Sequence, residues 1–235
     1  MSTGRTVALL PMKAHSARVK SKNFRDLAGK PLYAWILDTL ISMDEIDQVV
    51  INTDAREILA NSGLTEGGKV MIRDRKPEIC GDFVSMNLVL ADDVANVEAD
   101  TYVMTHTTNP LLSAATISGA IGDYTAARAK GEADSLFTVN KVQTRFYRED
   151  GSAVNHDPDN LIRTQDLEPW YEENSGLYIF SADSFASTNA RIGKKPMMFE
   201  TPMLEAVDID DAPRWFIAES MARRVADGKV LGDIK

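Results

Sequence analysis

Between Leu9 and Leu32 the chain reads LLPMKAHSARVKSKNFRDLAGKPL. The stretch begins in an apolar run, Thr6 to Met12, with the pattern of a strand buried on both faces. It ends at a helix predicted over Pro31 to Met43, whose stripe is Leu32, Trp35, Ile36, Thr39 and Leu40. The loop between them carries Lys13, Arg18, Lys20, Lys22, Arg25 and Lys30, in a protein of formal net charge -9. Strand, loop and helix make the first unit of an α/β sheet, where ligands bind at the carboxyl ends of strands. Cations there suit a triphosphate, held by charge-assisted hydrogen bonds. Ala14, Ser16 and Ala17 are small enough to let the backbone approach. The alternative is a solvated basic surface.

The same rhythm continues. Gln48 to Thr53 reads as a second buried strand, with Asp54 as N-cap of a helix to Asn61. Further strands are expected at Val70 to Arg73, Thr101 to Thr105 and Asp134 to Val139. Helices are expected at Val84 to Val97 and, capped by Ser113, at Ala114 to Lys130. This alternation calls for a Rossmann-like α/β fold of three layers around a mostly parallel sheet. Neither G-x-G-x-x-G nor G-x-x-x-x-G-K-[ST] occurs. From Lys141 to Asn174 the pattern breaks into Asp, Asn, Arg and Gln, which reads as a hairpin-bearing insertion in a single domain spanning 1–235. Gly176 to Phe180, a helix from Asp183 to Asn189, a strand from Val207 to Asp211 and a helix from Ala212 to Ala226 complete the expected elements.

Composition narrows the function classes. One cysteine, Cys80, rules out an internal disulfide and points to a reducing, cytoplasmic compartment. The polar start and the short apolar run behind it predict a soluble, unexported protein with no membrane span. The acidic balance argues against nucleic acid as partner.

A second constellation lies in EAVDIDDAPRW, Glu205 to Trp215. In an extended strand Asp208 and Asp210 share a face while Ile209 points inward. Such a pair suits Mg²⁺, which takes one or two carboxylates and completes its shell with waters and phosphates. Capping of the last helix by Asp210 or Asp211 is the competing reading.

A cationic loop and an acidic pair are complementary halves of a nucleotidyl-transfer site, and the opening stretch resembles the acylneuraminate (CMP-sialic acid synthetase) group of sugar-acid cytidylyltransferases. The matching residues are Pro11, Lys13, Ser16, Lys22, Asn23, Gly29, Lys30, Pro31 and Leu32. RKPEICGD (Arg75 to Asp82), THTTNPLL (Thr105 to Leu112), RTQDLEPWYEENSGLYIF (Arg163 to Phe180) and VDIDDAPRW follow in the family's order over nearly the whole chain. Lys13 stands where the family usually has Arg, His106 where it has Gln, and Ser175 where it has Gly. The Asp that Kdo enzymes carry within Thr105 to Pro110 is missing.

The resemblance implies a nucleotidyltransferase fold and transfer of CMP from CTP to the anomeric hydroxyl of a 2-keto sugar acid. Lys13, Ser16, Arg18 and Lys22 would face the triphosphate, with Lys13 and Lys22 foremost, and Pro11 would join them in binding the nucleotide. Asn23, Ser85 and either Arg75 or Lys76 would meet cytosine and ribose. Asp208 and Asp210 would hold Mg²⁺. His106, Lys141, Arg163, Gln165, Asn174 and Tyr178 would meet the sugar acid; the general base is not evident, with His106 and a metal-bound hydroxide equally open. The resemblance also implies a homodimer closed by Gln143 to Trp170, whose aromatics Phe146, Tyr147, Trp170 and Tyr171 would find a partner. Two other readings compete: transfer to another acid (legionaminate, pseudaminate or Kdo-like), and a nucleotide-binding regulator on a decayed scaffold.

Overall fold

The first strand, β1 (Thr6–Leu9), is buried along its length because Ala8 points into one apolar layer while Val7 and Leu9 point into the other. The structure is a computed structural model and describes residues 4–16, 19 and 21–227. The remaining strands are β2 (Asp26–Leu27), β3 (Lys30–Pro31), β4 (Gln48–Thr53), β5 (Val70–Asp74), β6 (Thr101–Thr105), β7 (Ser135–Val142), β8 (Trp170–Phe180) and β9 (Pro196–Glu200). The helices are α1 (Leu32–Ser42), α2 (Arg56–Asn61), α3 (Met86–Asn96), α4 (Ala114–Ala129), α5 (Ala182–Thr188) and α6 (Ala212–Ala226).

Seven strands form one sheet in the order β5-β4-β1-β6-β8-β7-β9, parallel except where β8 runs against β6 and β7. One face carries α1, α2 and α4 through Ile36, Leu40, Leu59, Ile117 and Tyr124. The other carries α3 and α5 through Leu90 and Phe185. Each such side chain contributes roughly 1.5–3 kcal/mol by leaving water, so the three-layer α/β fold expected from the alternation forms. The chain leaves β1 towards β4 and β5 on one side and returns to β6 on the other. This reversal opens a crevice above the carboxyl end of β1.

A smaller apolar cluster lies beside the crevice, where Trp215, Ala218 and Ala222 of α6 pack on Val19, Leu27, Leu32, Leu111 and Ile209. The β2–β3 hairpin turns through Ala28 (φ 53°) and Gly29 (φ 101°), the positive-φ pair of a tight hairpin. It carries Lys30 away from the crevice, to Asp38 at 2.5 Å.

Two local expectations are corrected, and one strand was not foreseen. Asp54 does not cap α2; its carboxylate accepts from the Ala14 N–H at 2.7 Å, while the Thr53 hydroxyl takes the Ala55 N–H at 3.0 Å. Residues 207–211 join no strand: Ile209 N–H reaches Thr108 O at 2.9 Å, and no ladder extends from that bond. The edge strand β9, parallel to β7, was not legible because Pro196–Glu200 alternates without strong apolar contrast. The segment at 141–174 divides into the long arms of β7 and β8 and a loop between them. Within that loop Tyr147 pairs with Ala153 in a small hairpin.

Candidate active site

The cations of the opening loop divide by partner. Lys13 and Lys22 line a cleft of about 130 Å³ with Pro11, Ser16, Asn23, Arg75, Met86, His106, Thr107 and Thr108. Arg25 instead lies over the Trp215 ring at 5.0 Å, and Lys30 over Trp35 at 4.6 Å. Arg18 and Lys20 lie outside the described residues. Lys13 Nζ is 2.5 Å from Asp82, on the loop before α3. Lys22 opens a short turn entered through Ser21 at φ 52°, and its Nζ donates to Ile209 O at 2.7 Å.

Asn23 borders the cleft, but its amide is half committed. It donates to Lys13 O at 2.8 Å and accepts from the Thr107 hydroxyl at 2.7 Å. Buried between them, it clamps the loop to the end of β6, with one N–H and one oxygen lone pair left on its amide. Thr107, which sequence reading did not single out, is the other half of that clamp.

Of Arg75 and Lys76, only Arg75 borders the cleft. Lys76 turns outward to Asp92 at 2.6 Å. Arg75 is oriented by a relay: its Nε donates to Asn52 Oδ1 at 3.0 Å, and Asn52 Nδ2 donates to Asp93 at 2.8 Å. Asp93 is buried and also bonded by Arg73; burial above all pushes its carboxyl up to about 6. Ser85 is exposed and caps α3, accepting from the Asn87 N–H at 3.3 Å. It does not border the cleft.

His106 closes the cleft floor. Burial first, then the charges of Arg191 and Lys22, lowers its pKa to about 3. The imidazole is therefore neutral at physiological pH and a poor proton acceptor.

Beyond Lys22 the acidic segment crosses the crevice. Ile209 is fully buried, so Asp208 and Asp210 turn the other way despite the absence of a strand. Asp210 Oδ1 lies 4.0 Å from Lys22 Nζ. Asp211 caps α6 by accepting from the Arg214 N–H at 2.8 Å, which decides the capping alternative in favour of Asp211. Burial raises the Asp208 pKa; a Thr108 hydrogen bond opposes that and the Asp210 charge adds to it. Asp208 Oδ1 is buried with no hydrogen-bond partner among the described residues. No group of three or more His, Cys, Asp or Glu among those residues could hold a metal. An orphaned carboxylate oxygen beside a second carboxylate fits Mg²⁺, which leaves most of its shell to water and phosphate.

Asp208 also borders a second cleft, of about 330 Å³, bounded by the middle of β8, Asn140 of β7, Ala206–Val207 and the start of α6. Here β8 bulges: Phe137 faces Tyr178, but Val139 faces Glu173. Ser175, at the family's glycine position, sits at φ 56°, which accounts for a glycine being usual there. Asn174 plugs the bulge. Its Oδ1 accepts from Thr138 Oγ1 at 2.7 Å and Gly176 N–H at 3.0 Å, and its Nδ2 donates to Asn140 and Thr201. The Asn174 amide is thus spent within the fold. Tyr178 is buried, its hydroxyl bonded to Glu173 and receiving from Arg191 at 2.9 Å. It supports the cleft wall from behind.

Lys141, Arg163 and Gln165 border neither cleft of their own chain. All three are exposed on the β7–β8 extension, and Arg163, with a side chain 72% exposed, is paired with Asp166 at 2.7 Å. On the same extension Phe146 stacks on Trp170 at 5.1 Å. Arg214 borders the second cleft and was missed, because PRW in sequence signals only a helix start.

Two adjoining clefts at strand ends, one lined by lysines and the other by carboxylates, define a nucleotidyltransferase. The chain belongs to the cytidylyltransferase family, whose model matches residues 7–211. It is 27% identical over 225 residues to N-acylneuraminate cytidylyltransferase A of Danio rerio, covering 92% of this chain and 50% of that one. It is 22% identical over 218 residues to pseudaminic acid cytidylyltransferase of Campylobacter jejuni, covering 88% and 91%. Among solved structures it resembles CMP:2-keto-3-deoxy-manno-octonic acid synthetase complexed with CTP, at TM-score 0.63 and 15% identity, covering 96% and 100%. No described helix is long and apolar enough to cross a membrane.

Proposed function

We propose that this cytidylyltransferase transfers CMP from CTP to the anomeric hydroxyl of a nonulosonate, an N-acylneuraminate or a related acid such as pseudaminate or legionaminate. The observation that carries the reading is the junction of the clefts: Lys22 donates to Ile209 O at 2.7 Å and lies 4.0 Å from Asp210. The cation meant for phosphates and the acidic segment facing the second cleft therefore meet where the phosphorus–oxygen bond must form. The acid's hydroxyl oxygen attacks the α-phosphorus, its proton passing to solvent, as the bond to pyrophosphate breaks.

Lys13 and Lys22 hold the triphosphate by charge-assisted hydrogen bonds, and Arg75 is poised for the nucleoside or a phosphate. Asp208 and Asp210 would hold Mg²⁺, which would supply charge neutralisation as a Lewis acid. His106, whose pKa burial lowers, is given no proton-transfer role in this reading. Catalysis then rests on alignment and electrostatics. In this reading a second copy of the chain brings Lys141, Arg163 and Gln165 to the sugar cleft, consistent with their exposure on the extension and with exposed Tyr147, Trp170 and Tyr171 beside them.

The test is pyrophosphate release from CTP and Mg²⁺ across a panel of 2-keto sugar acids, with Asp210→Asn alongside. Release with one nonulosonate, reduced at least about 100-fold in the variant, supports the reading, since charge stabilisation of this kind contributes about 2.7–4 kcal/mol. CTP binding without release on any acid refutes it.

A further inference from the structure

The second cleft poses an electrostatic problem for an acid substrate. Glu172, Glu173 and Asp208 border it, and a sugar carboxylate would be repelled by all three. Arg214 is the one basic side chain bordering it among the described residues. We propose that Arg214 anchors the carboxylate of the acid substrate and offsets the carboxylates that its own chain lines the cleft with. The assignment rests on the functional reading above.

Three features support it. The first is position: in a 2-keto sugar acid the carboxylate is bonded to the same carbon as the reacting hydroxyl, so its anchor must stand beside the phosphate-binding groups. Arg214 Nη1 is 3.6 Å from Asp210 Oδ2, and Asp210 is 4.0 Å from Lys22. The second is availability. The 3.6 Å separation is longer than a hydrogen bond, and the side chain is 55% exposed, so the guanidinium can turn to a ligand. The third is the lack of a rival among the chain's described residues. Arg191, the other cation near this wall, lies over the Tyr178 ring at 3.8 Å, donates to its hydroxyl and pairs with Glu173 at 3.7 Å. Its fork is occupied in holding the wall. The planar fork of Arg214 matches a carboxylate in a way that a lysine cannot.

The experiment compares the free sugar acid with its methyl ester in wild type, Arg214→Ala, Arg214→Lys and Arg163→Ala. Loss of one charge-assisted contact predicts that Arg214→Ala raises KM for the acid about 10- to 100-fold, with KM for CTP unchanged. Wild type should prefer acid to ester by a similar factor, Arg214→Ala should treat them alike, and Arg214→Lys should recover part of the preference. Circular dichroism checks that α6 is intact. If Arg214→Ala keeps the preference, or if Arg163→Ala abolishes it instead, the assignment is overturned while the functional reading stands. If wild type turns over no acid at all, the functional reading fails and the assignment with it.

Discussion

Replacing Asn174 with alanine separates two roles that sequence and structure give the same residue. Family resemblance makes it a sugar contact; the structure makes it the plug of the β8 bulge. Its side chain makes four hydrogen bonds, to Thr138 at 2.7 Å, Gly176 at 3.0 Å, Asn140 at 2.9 Å and Thr201 at 2.5 Å. The Thr138 hydroxyl has a second acceptor in the alanine variant, Leu177 O at 3.3 Å, whereas the Thr201 hydroxyl, which already donates to Val139 O at 3.3 Å, only loses the N–H it accepted from. The buried Gly176 N–H is left without an acceptor, at about 1–3 kcal/mol, and the longer Thr138 replacement adds to that. We therefore expect Asn174→Ala to destabilise by about 2–4 kcal/mol, a fall in Tm of about 5–15 °C for a chain of this size. Urea titration and thermal melts followed by circular dichroism, beside KM for the acid, provide the assay. A variant that melts within about 1 °C of wild type yet raises KM for the acid would refute the plug and restore the substrate contact.

Two further outcomes follow from the site. His106 is protonated near pH 6.5 when unfolded but only near 3 when folded, so the unfolded state binds the extra proton and stability falls as pH drops below about 6.5. At pH 5 the loss approaches about 2 kcal/mol, and His106→Gln should remove it, seen as a flatter stability profile between pH 7 and 5; an unchanged acid limb would count against a neutral imidazole. Ser85→Ala should cost about 1 kcal/mol through the lost α3 cap and leave KM for CTP unchanged; a large rise in KM for CTP would return Ser85 to the nucleotide site.

The sequence alone determined the layer architecture, because that depends on local periodicity. Val7 to Leu10 can be apolar at every position only if both faces are covered, and Leu32, Ile36 and Leu40 can share a stripe only on a helix. The acidic pair was legible for a related reason: Ile209 had to point inward, so its neighbours pointed out even though no strand formed. What the side chains do at the site was decided by partners distant in sequence. Lys22 and Lys30 look alike in the opening loop, but one meets Ile209 and Asp210 while the other meets Asp38. Arg75 and Lys76 are adjacent, and the Asn52–Asp93 relay, with the carbonyls of Met12 and Asn52, turns Arg75 into the crevice. Asn23 and Asn174 carry family motifs, yet the Asn23 amide is half used by Lys13 O and Thr107, and the Asn174 amide is filled by Thr138, Gly176, Asn140 and Thr201. Hydrogen bonds of this kind leave no period in the sequence, so the tertiary structure alone decided which polar residues remain available to a ligand.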